Sequence, residues 1–375
     1  MTVTRIAPSR LARGVPGRLV VAVEGAGARR VEVRQPRTPD LDVEPGTGVG
    51  GLDAVLVARR RGAHELAPVA VRVTGPLGLG RWDHPAGPPA AVTVHPDLPA
   101  ARRLATAVRQ GRFRDPGLRR RGALGLGTNF EQVREYQPDD DVRHVNWVAT
   151  VRQGRPMTNQ YREDTERDVV VLVDAGRLMA APVAGPGATA PDRTRLDVAV
   201  DAAAAVAAVA DAVGDRCGTV AYDDALRARV APRRASGDAV VGALHDLEPR
   251  PVDSDPELAF RAIGTTKRAL VVVFTDLVDE AAAAALLDAV PYLVRRHAVV
   301  VASCADADLV ALASGAGPGG PDGAEATVAA RVLGARDRAA AQIARRGARV
   351  VEAPPGRLSA AVVAAYLDAK SSGRL

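Results

Sequence analysis

The first hundred residues alternate between apolar and polar positions in short runs. Leu19, Val21 and Val23 interleave with Val20, Ala22 and Glu24, an imperfect alternation, and Val31-Glu32-Val33, Ala54–Ala58, Val69–Val73 and Val92–Val94 repeat the theme. A period of two places one set of side chains on one face of a pleated strand. Breaks such as Glu44-Pro45-Gly46-Thr47-Gly48 supply turn chemistry between the runs. The pattern predicts several short strands and a small β-sandwich-like domain over residues 1–98.

From Asp168 onward the pattern changes. Val169–Val173 is apolar throughout and ends at Asp174. Ala199, Ala202, Val206, Val209 and Val213 then share one face of a helix, with Asp197, Asp201 and Asp211 on the other. Gly218–Tyr222, a turn at Asp223-Asp224 and Leu226–Val230 predict a hairpin. A helix is predicted over 237–247, followed by a strand at Ala269–Phe274. Further helices are predicted near 280–295, 326–346 and 359–369, with strands at 298–302 and 348–351 between them. Valine-rich runs with no polar alternation, each joined to the next by a helix, are strands buried on both faces. They predict an α/β domain over 166–375 with a doubly wound, mainly parallel sheet and one antiparallel edge strand. The Gly- and Pro-rich stretches 182–191 and 314–323 are read as surface loops.

Between these parts, residues 99–165 form a connecting segment that is rich in arginine and turn residues. It holds Phe113, Phe130, Tyr136, Trp147 and Tyr161, a large share of a chain that is only 3% aromatic. Aromatics gathered in a polar segment are expected to pin a loop onto a scaffold. The 375-residue chain is long enough for two domains, and at 47% hydrophobic it can build a core without staples. With so few aromatics, that core must consist of Val, Leu and Ala.

A net charge of +6 raises nucleic acid as a partner. The basic charge is almost all arginine, since Lys267 and Lys370 are the only lysines. An Ala-, Gly-, Pro- and Arg-rich chain is what a GC-rich genome encodes whatever the function. No segment interleaves basic residues with stacking aromatics. Arg119-Arg120-Arg121 is the best basic patch, and its plain reading is a solvated turn. No nucleic-acid partner is expected. Cys217 and Cys304 sit in apolar strand-like runs and read as small buried hydrophobes. No run approaches the roughly 18 apolar residues of a spanning helix, and Met1–Gly14 lacks the apolar stretch of a secretory signal. A cytoplasmic protein without a membrane span is expected.

In open α/β sheets, ligands bind at the C-terminal ends of the strands. The predicted strands there end in Asp174, Asp223-Asp224, Thr275-Asp276 and Asp306, and clustered carboxylates suit a hard cation such as magnesium. Asp223 and Asp224 read equally well as turn residues, and Asp306 with Asp308 as helix caps. Asp174 and Asp276 are the better pair, because their strands are expected to be central and adjacent. Ala175-Gly176-Arg177-Leu178-Met179 adds no hydroxyl to a metal shell, and Arg177 adds positive charge. Thr275 is a possible ligand, or simply a β-branched strand residue. An aspartyl phosphotransferase of the dehalogenase type needs a second carboxylate two residues after the first, where Gly176 stands. His64, His84, His95, His144, His245 and His297 show no ligand or catalytic spacing.

The most distinctive stretch is Gly127-Thr128-Asn129-Phe130-Glu131, then Arg134-Glu135-Tyr136, Pro138-Asp139-Asp140-Asp141, Arg143 and Asn146-Trp147. Arg134 and Arg143 can pair bidentately with Glu131, Glu135, Asp140 or Asp141. Such a segment is either a salt-bridged fastener between domains or a recognition surface. It resembles the signature of the bacterial family called domain of unknown function 58. Gly125, Gly127, Phe130, Arg134, Glu135, Tyr136, Asp140, Arg143 and Trp147 fall on that signature in order, and Arg152 matches the arginine of the A-R pair after it. Asp139, Asn146 and Val151 stand where the pattern has glycine, aspartate and alanine.

The resemblance implies a von Willebrand factor A-like C-terminal half. It also implies a partnership with a MoxR-type AAA+ ATPase, acting on client proteins during assembly or maturation. Relatives often carry a membrane anchor, which suggests a place at the cytoplasmic face of the membrane. It further implies that Asp174 and Asp276 are the remnant of a metal-ion-dependent adhesion site, with Gly176 and Leu178 at its serine positions. The expected function is a non-enzymatic protein-interaction or adaptor module with no cofactor beyond magnesium at the degenerate site. The alternative is a divalent-metal-dependent hydrolase or phosphotransferase centred on Asp174 and Asp276.

Overall fold

The structure is a computed structural model. It describes residues 1–371 apart from 28, 114–128, 138–139, 141–144, 163–165, 185–190, 265–267, 279–282, 317–319 and 321–322. Arg119–Arg121, Gly125, Gly127, Asp139, Asp141, Arg143 and His144 lie outside the described residues.

The first strands are β1 (Thr2–Ile6), β2 (Arg10–Ala12), β3 (Gly17–Glu24), β4 (Arg30–Arg34), β5 (Leu41–Glu44) and β6 (Thr47–Val49). They continue with β7 (Gly51–Ala58), β8 (Gly62–Leu66), β9 (Val69–Thr74), β10 (Arg81–Ala86) and β11 (Ala90–His95). Two four-stranded sheets run in the orders β1-β3-β7-β5 and β10-β9-β4-β6, and a three-stranded sheet runs β2-β11-β8. Leu19 and Val21 of β3, Val31 and Val33 of β4, Leu52 to Ala58 of β7 at alternate positions, and Val69 and Val71 of β9 meet in one core. Leu66, Val92 and Val94 from the third sheet join it. The period-two alternation thus builds a sandwich-like body, each strand giving one face to a shared interior.

The helix α1 (Leu98–Arg109) follows, opened by Asp97, whose side chain accepts from Ala100 N. The connecting segment then gives β12 (Asn129–Glu135), α2 (Trp147–Gln153) and β13 (Met157–Arg162). β14 (Asp168–Asp174) begins the large sheet, and a short hairpin of β15 (Pro182–Ala184) and β16 (Pro191–Thr194) replaces part of the loop expected at 182–191. The remaining elements are α3 (Arg195–Val213), β17 (Arg216–Tyr222), β18 (Leu226–Arg233), α4 (Gly237–Leu244), α5 (Pro256–Ala262) and β19 (Ala269–Phe274). They end with α6 (Ala284–Val294), β20 (Ala298–Cys304), α7 (Ala307–Ala313), α8 (Ala324–Arg345), β21 (Arg349–Ala353) and α9 (Leu358–Ser371).

The six-stranded sheet has the order β18-β17-β14-β19-β20-β21. Every pairing is parallel except β17 with β18. The pleat divides the valine runs between two cores. Val169, Val171 and Val173 join Leu270, Val272 and Phe274 beneath α3, α4 and α9. Val170 and Leu172 join Val271, Val273 and Val301 beneath α5, α6 and α8. Helices therefore cover both faces, and this is why the strands carry no polar alternation.

α3 is set by a capping box between Thr194 and Asp197 and ends at Gly214 in the left-handed region, φ 78°. Its aspartates are all engaged by other elements. Asp197 makes a buried ion pair with Arg61 of the sandwich at 2.8 Å, and Arg61 also donates to the carbonyls of Leu244 and His245 at 3.2 Å. Asp201 takes Arg13 at 2.5 Å and the backbone N–H of Asp97 at 3.0 Å. Asp211 accepts the N–H groups of Ser236 and Gly237 at the start of α4. Leu98, Ala101, Ala105 and Val108 lay α1 onto the same core as α3.

Candidate functional site

Two places bring the predicted residues together. At the C-terminal edge of the large sheet, β14 and β19 are central and adjacent, so Asp174 and Asp276 meet as expected. Asp174 is buried. It accepts from Ser254 Oγ at 2.5 Å, Thr275 Oγ1 at 2.6 Å and the N–H of Gly176 at 2.8 Å. Burial pushes its carboxyl up from the usual range, these three donors offset part of the rise, and Asp276 adds to it.

Asp276 is also buried and lies between two guanidinium groups. Arg195, the first residue of α3, donates to its Oδ2 and reaches Asp306 at 2.8 Å. Arg336 of α8 pairs with its Oδ1 at 2.9 Å and also reaches Ser303 Oγ, the Cys304 carbonyl and Glu352 at 3.1–3.2 Å. Burial works against the charge of Arg336, but the carboxylates of Asp276 and Glu352 more than offset this and hold it protonated. Beside this network, burial pushes the Cys304 thiol up to about 11, so at neutral pH it is no nucleophile.

A cleft of about 510 Å³ opens over this edge, lined among others by Asp174, Arg177, Ser254, Thr275, Asp276 and Leu286. Arg177 pairs with Asp253 at 2.6 Å and is half exposed. Among the described residues, the donor set does not fit a dication. Arg195 and Arg336 already supply the positive charge that Asp276 requires, and a cation there would meet both at close range. The oxygens of Asp174 are engaged by two hydroxyls and an amide. Among the described residues, no group of three or more His, Cys, Asp or Glu is placed to hold a metal.

Ser254, Arg195 and Arg336 are absent from the sequence-based expectation. Arg336 had a signal: it falls at helical spacing among the buried Ala329, Ala339 and Ile343 of α8, and a charge on an apolar stripe needs a buried partner. Arg195 had a weaker one, standing between a capping threonine and an apolar helix. Ser254 had none. Two of the scattered histidines also meet, with the rings of His95 and His245 5.5 Å apart where the sandwich faces α4.

The second place is the signature. β12 pairs antiparallel with β13, and Phe130 stands across from Tyr161. Arg134 grips Asp140 bidentately, Nη1 to Oδ2 at 2.8 Å and Nη2 to Oδ1 at 2.6 Å. Asp140 also accepts the N–H of Gln137 at 2.8 Å, and its carbonyl accepts Tyr136 OH at 3.0 Å. Glu135 pairs with Arg155 at 3.2 Å on the surface. Asn146 caps α2 by accepting from Ala149 N at 2.9 Å and donates to Asn159 at 2.8 Å. Asparagine and aspartate are comparable N-caps, so Asn146 at the aspartate position of the signature supplies a good cap.

These residues fold their own segment. What they present is α2, which buries none of its residues. Trp147 is 68% exposed, Val148 66% and Val151 82%, and Arg152 beside them is exposed. Trp147 thus departs from the expectation that the aromatics pin the segment down. Phe113 does pin it, resting against the core beneath α3.

The chain is similar to known proteins. An uncharacterized protein of Mycobacterium bovis and two of Mycobacterium tuberculosis strains are each 34% identical to it over 109 residues. The match covers 29% of this chain, and the chain spans only 32% of the length of those relatives. The profile of the family described as protein of unknown function DUF58 matches residues 132–347, from β12 through α8 and more than half of the chain. The chain belongs to the DUF58 family.

Proposed function

We propose that this chain is a non-enzymatic protein-interaction module whose recognition surface is α2, held out by the Arg134–Asp140 hairpin. One observation carries the reading: a tryptophan and two valines stand bare on one short helix, while the signature pair Arg134 and Asp140 is spent on internal bonds. Exposed aromatic and aliphatic side chains on a fixed element are what interface hot spots are made of. The large sheet supports a von Willebrand factor A-like reading of the C-terminal part, through its parallel order, its single antiparallel edge strand and its two helix layers. The partner that the family resemblance suggests is a MoxR-type AAA+ ATPase, with client proteins beyond it.

The test is affinity capture of that ATPase from the native cell with the full chain as bait. Trp147→Ala should cost about 2 kcal/mol of binding, roughly thirtyfold in affinity. Val151→Asp should weaken capture similarly, and Arg134→Glu should abolish it by unfolding the hairpin that presents α2. Undiminished capture by all three variants removes α2 as the surface. Failure of the wild type to enrich any ATPase removes that partner.

A further inference from the structure

The two carboxylates at the edge of the large sheet have unequal surroundings. Asp276 holds a guanidinium group on each oxygen, from Arg195 and Arg336. Asp174 is about as deeply buried, 5% exposed against 4%, yet its partners are neutral: Ser254 Oγ, Thr275 Oγ1 and the Gly176 N–H. The guanidinium groups nearby are engaged elsewhere. Arg177 sits on Asp253, and Arg195 and Arg336 are shared among Asp276, Asp306 and Glu352. Among the described residues, no cation is left for Asp174. A buried carboxylate without a counter-cation is costly to the fold, and this one lines the cleft of about 510 Å³.

The two hydroxyls sharpen the polarity of the cleft. Each donates its hydrogen to Asp174, so Ser254 and Thr275, which also line the cleft, keep only acceptor lone pairs. Three donors leave Asp174 itself about one of its roughly four acceptor sites. The floor of the cleft therefore accepts hydrogen bonds and carries negative charge. Its walls are largely apolar, with Leu178, Val252, Pro256 and Leu286 among them. A dication matches this poorly, since it asks for about six oxygens, several of them charged. A long basic side chain matches it well. Its aliphatic stem would lie along the apolar walls while its charged head donates to the floor. Arg195 and Arg336 reach Asp276 from α3 and α8 and are not among the residues that line the cleft, where Arg177 is the one guanidinium among the described residues.

We propose that this cleft receives a lysine or arginine side chain of a partner protein, with Asp174 as the counter-charge. The contact is independent of the α2 surface. Butylguanidinium, an arginine head on an aliphatic stem, is the probe. In amide NMR spectra of the full chain it should shift Gly176, Ser254 and Thr275 saturably, with a Kd on the order of 1–10 mM. Neutral butylurea should not. Asp174→Asn should abolish the shifts. Ala285→Arg, at an exposed position of α6 on the cleft, should weaken binding about tenfold or more and leave the melting temperature unchanged, which covers an Asp174→Asn chain that fails to fold. Arg177→Ala should tighten the probe about twofold, because it removes a like charge from the cleft. Trp147→Ala should alter nothing here, so failure of this site and failure of the α2 reading are separable. Acetyl-arginine amide should bind at least as well as free arginine, as a side chain within a protein would. No saturable shift, an equal response to butylurea, or unchanged affinity in Asp174→Asn or Ala285→Arg overturns the proposal. So does weaker binding in Arg177→Ala, which would make the cleft a site for anions. Magnesium that displaces the probe would make it an ion site, and a clear preference for free arginine a metabolite site; either result overturns the proposal as well.

Discussion

A Cβ added at Gly176 would come within 2.1 Å of Ser254 Oγ and 2.8 Å of the Val252 carbonyl. The hydroxyl that an adhesion-type site would carry at position 176 thus reaches Asp174 from another loop. Gly176→Ser should therefore not restore a metal site. It should cost about 1–3 kcal/mol through the clash, measured by thermal denaturation, and Ser254→Gly in the same chain should recover only part of that loss, because the Val252 carbonyl stays in the way. A neutral Gly176→Ser would show that the loops move apart freely. The two carboxylates of this edge were legible in the sequence because aspartate at the end of a valine run is a local pattern. Their partners were not. Arg195 is 81 positions from Asp276 and Arg336 is 60 further on, and only the strand order of the folded sheet brings them to one point.

Among the elements, the valine-rich strands of the large sheet and the long helices could be read from periodicity, while α1, α2, α5, α7 and short strands such as β1, β8, β12 and β15 could not. α5 and α7 span seven residues each, too short for a period of 3.6 to repeat clearly. α1 lay in a stretch that seemed to be loop, because its buried positions are mostly alanine and its exposed ones arginine. Its start at Asp97-Leu98-Pro99 was the signal available. The aspartates of α3 could be placed on a face but not assigned a role, since the partners of Asp197 and Asp201 in the sandwich and that of Asp211 at the start of α4 come from other parts of the chain. Arg61→Ala would leave Asp197 buried without its cationic partner, keeping only the hydrogen bonds from Thr194, and should cost about 3–5 kcal/mol, read by chemical denaturation. Arg18→Ala, which breaks the exposed pair with Asp53, should change the midpoint little. Equal effects from the two would mean that the Arg61 contact is not holding the docked sandwich.

At the scale of the whole molecule, His95 should make the junction between sandwich and sheet sensitive to acid. Burial lowers the pKa of His95, and His245 and Arg10 lower it further, against a smaller upward pull from Asp238. The folded state thus disfavours the charged ring more than the unfolded chain does. The stability tied to it is complete above the ordinary value of 6.5 and is lost as pH falls through 6.5 toward the lowered folded value. His95→Gln should flatten the stability profile just below pH 6.5, and a profile unchanged by the substitution would place the acid sensitivity elsewhere. The first turn of α3 also does two jobs at once. Asp197 receives the sandwich through Arg61, and Arg195, two positions earlier, clamps Asp276 and Asp306 at the sheet edge. One helical turn is thus a common anchor for both ends of the protein. A force that lifts the sandwich off α3 would strain the same turn that keeps the two guanidinium groups seated on the edge carboxylates.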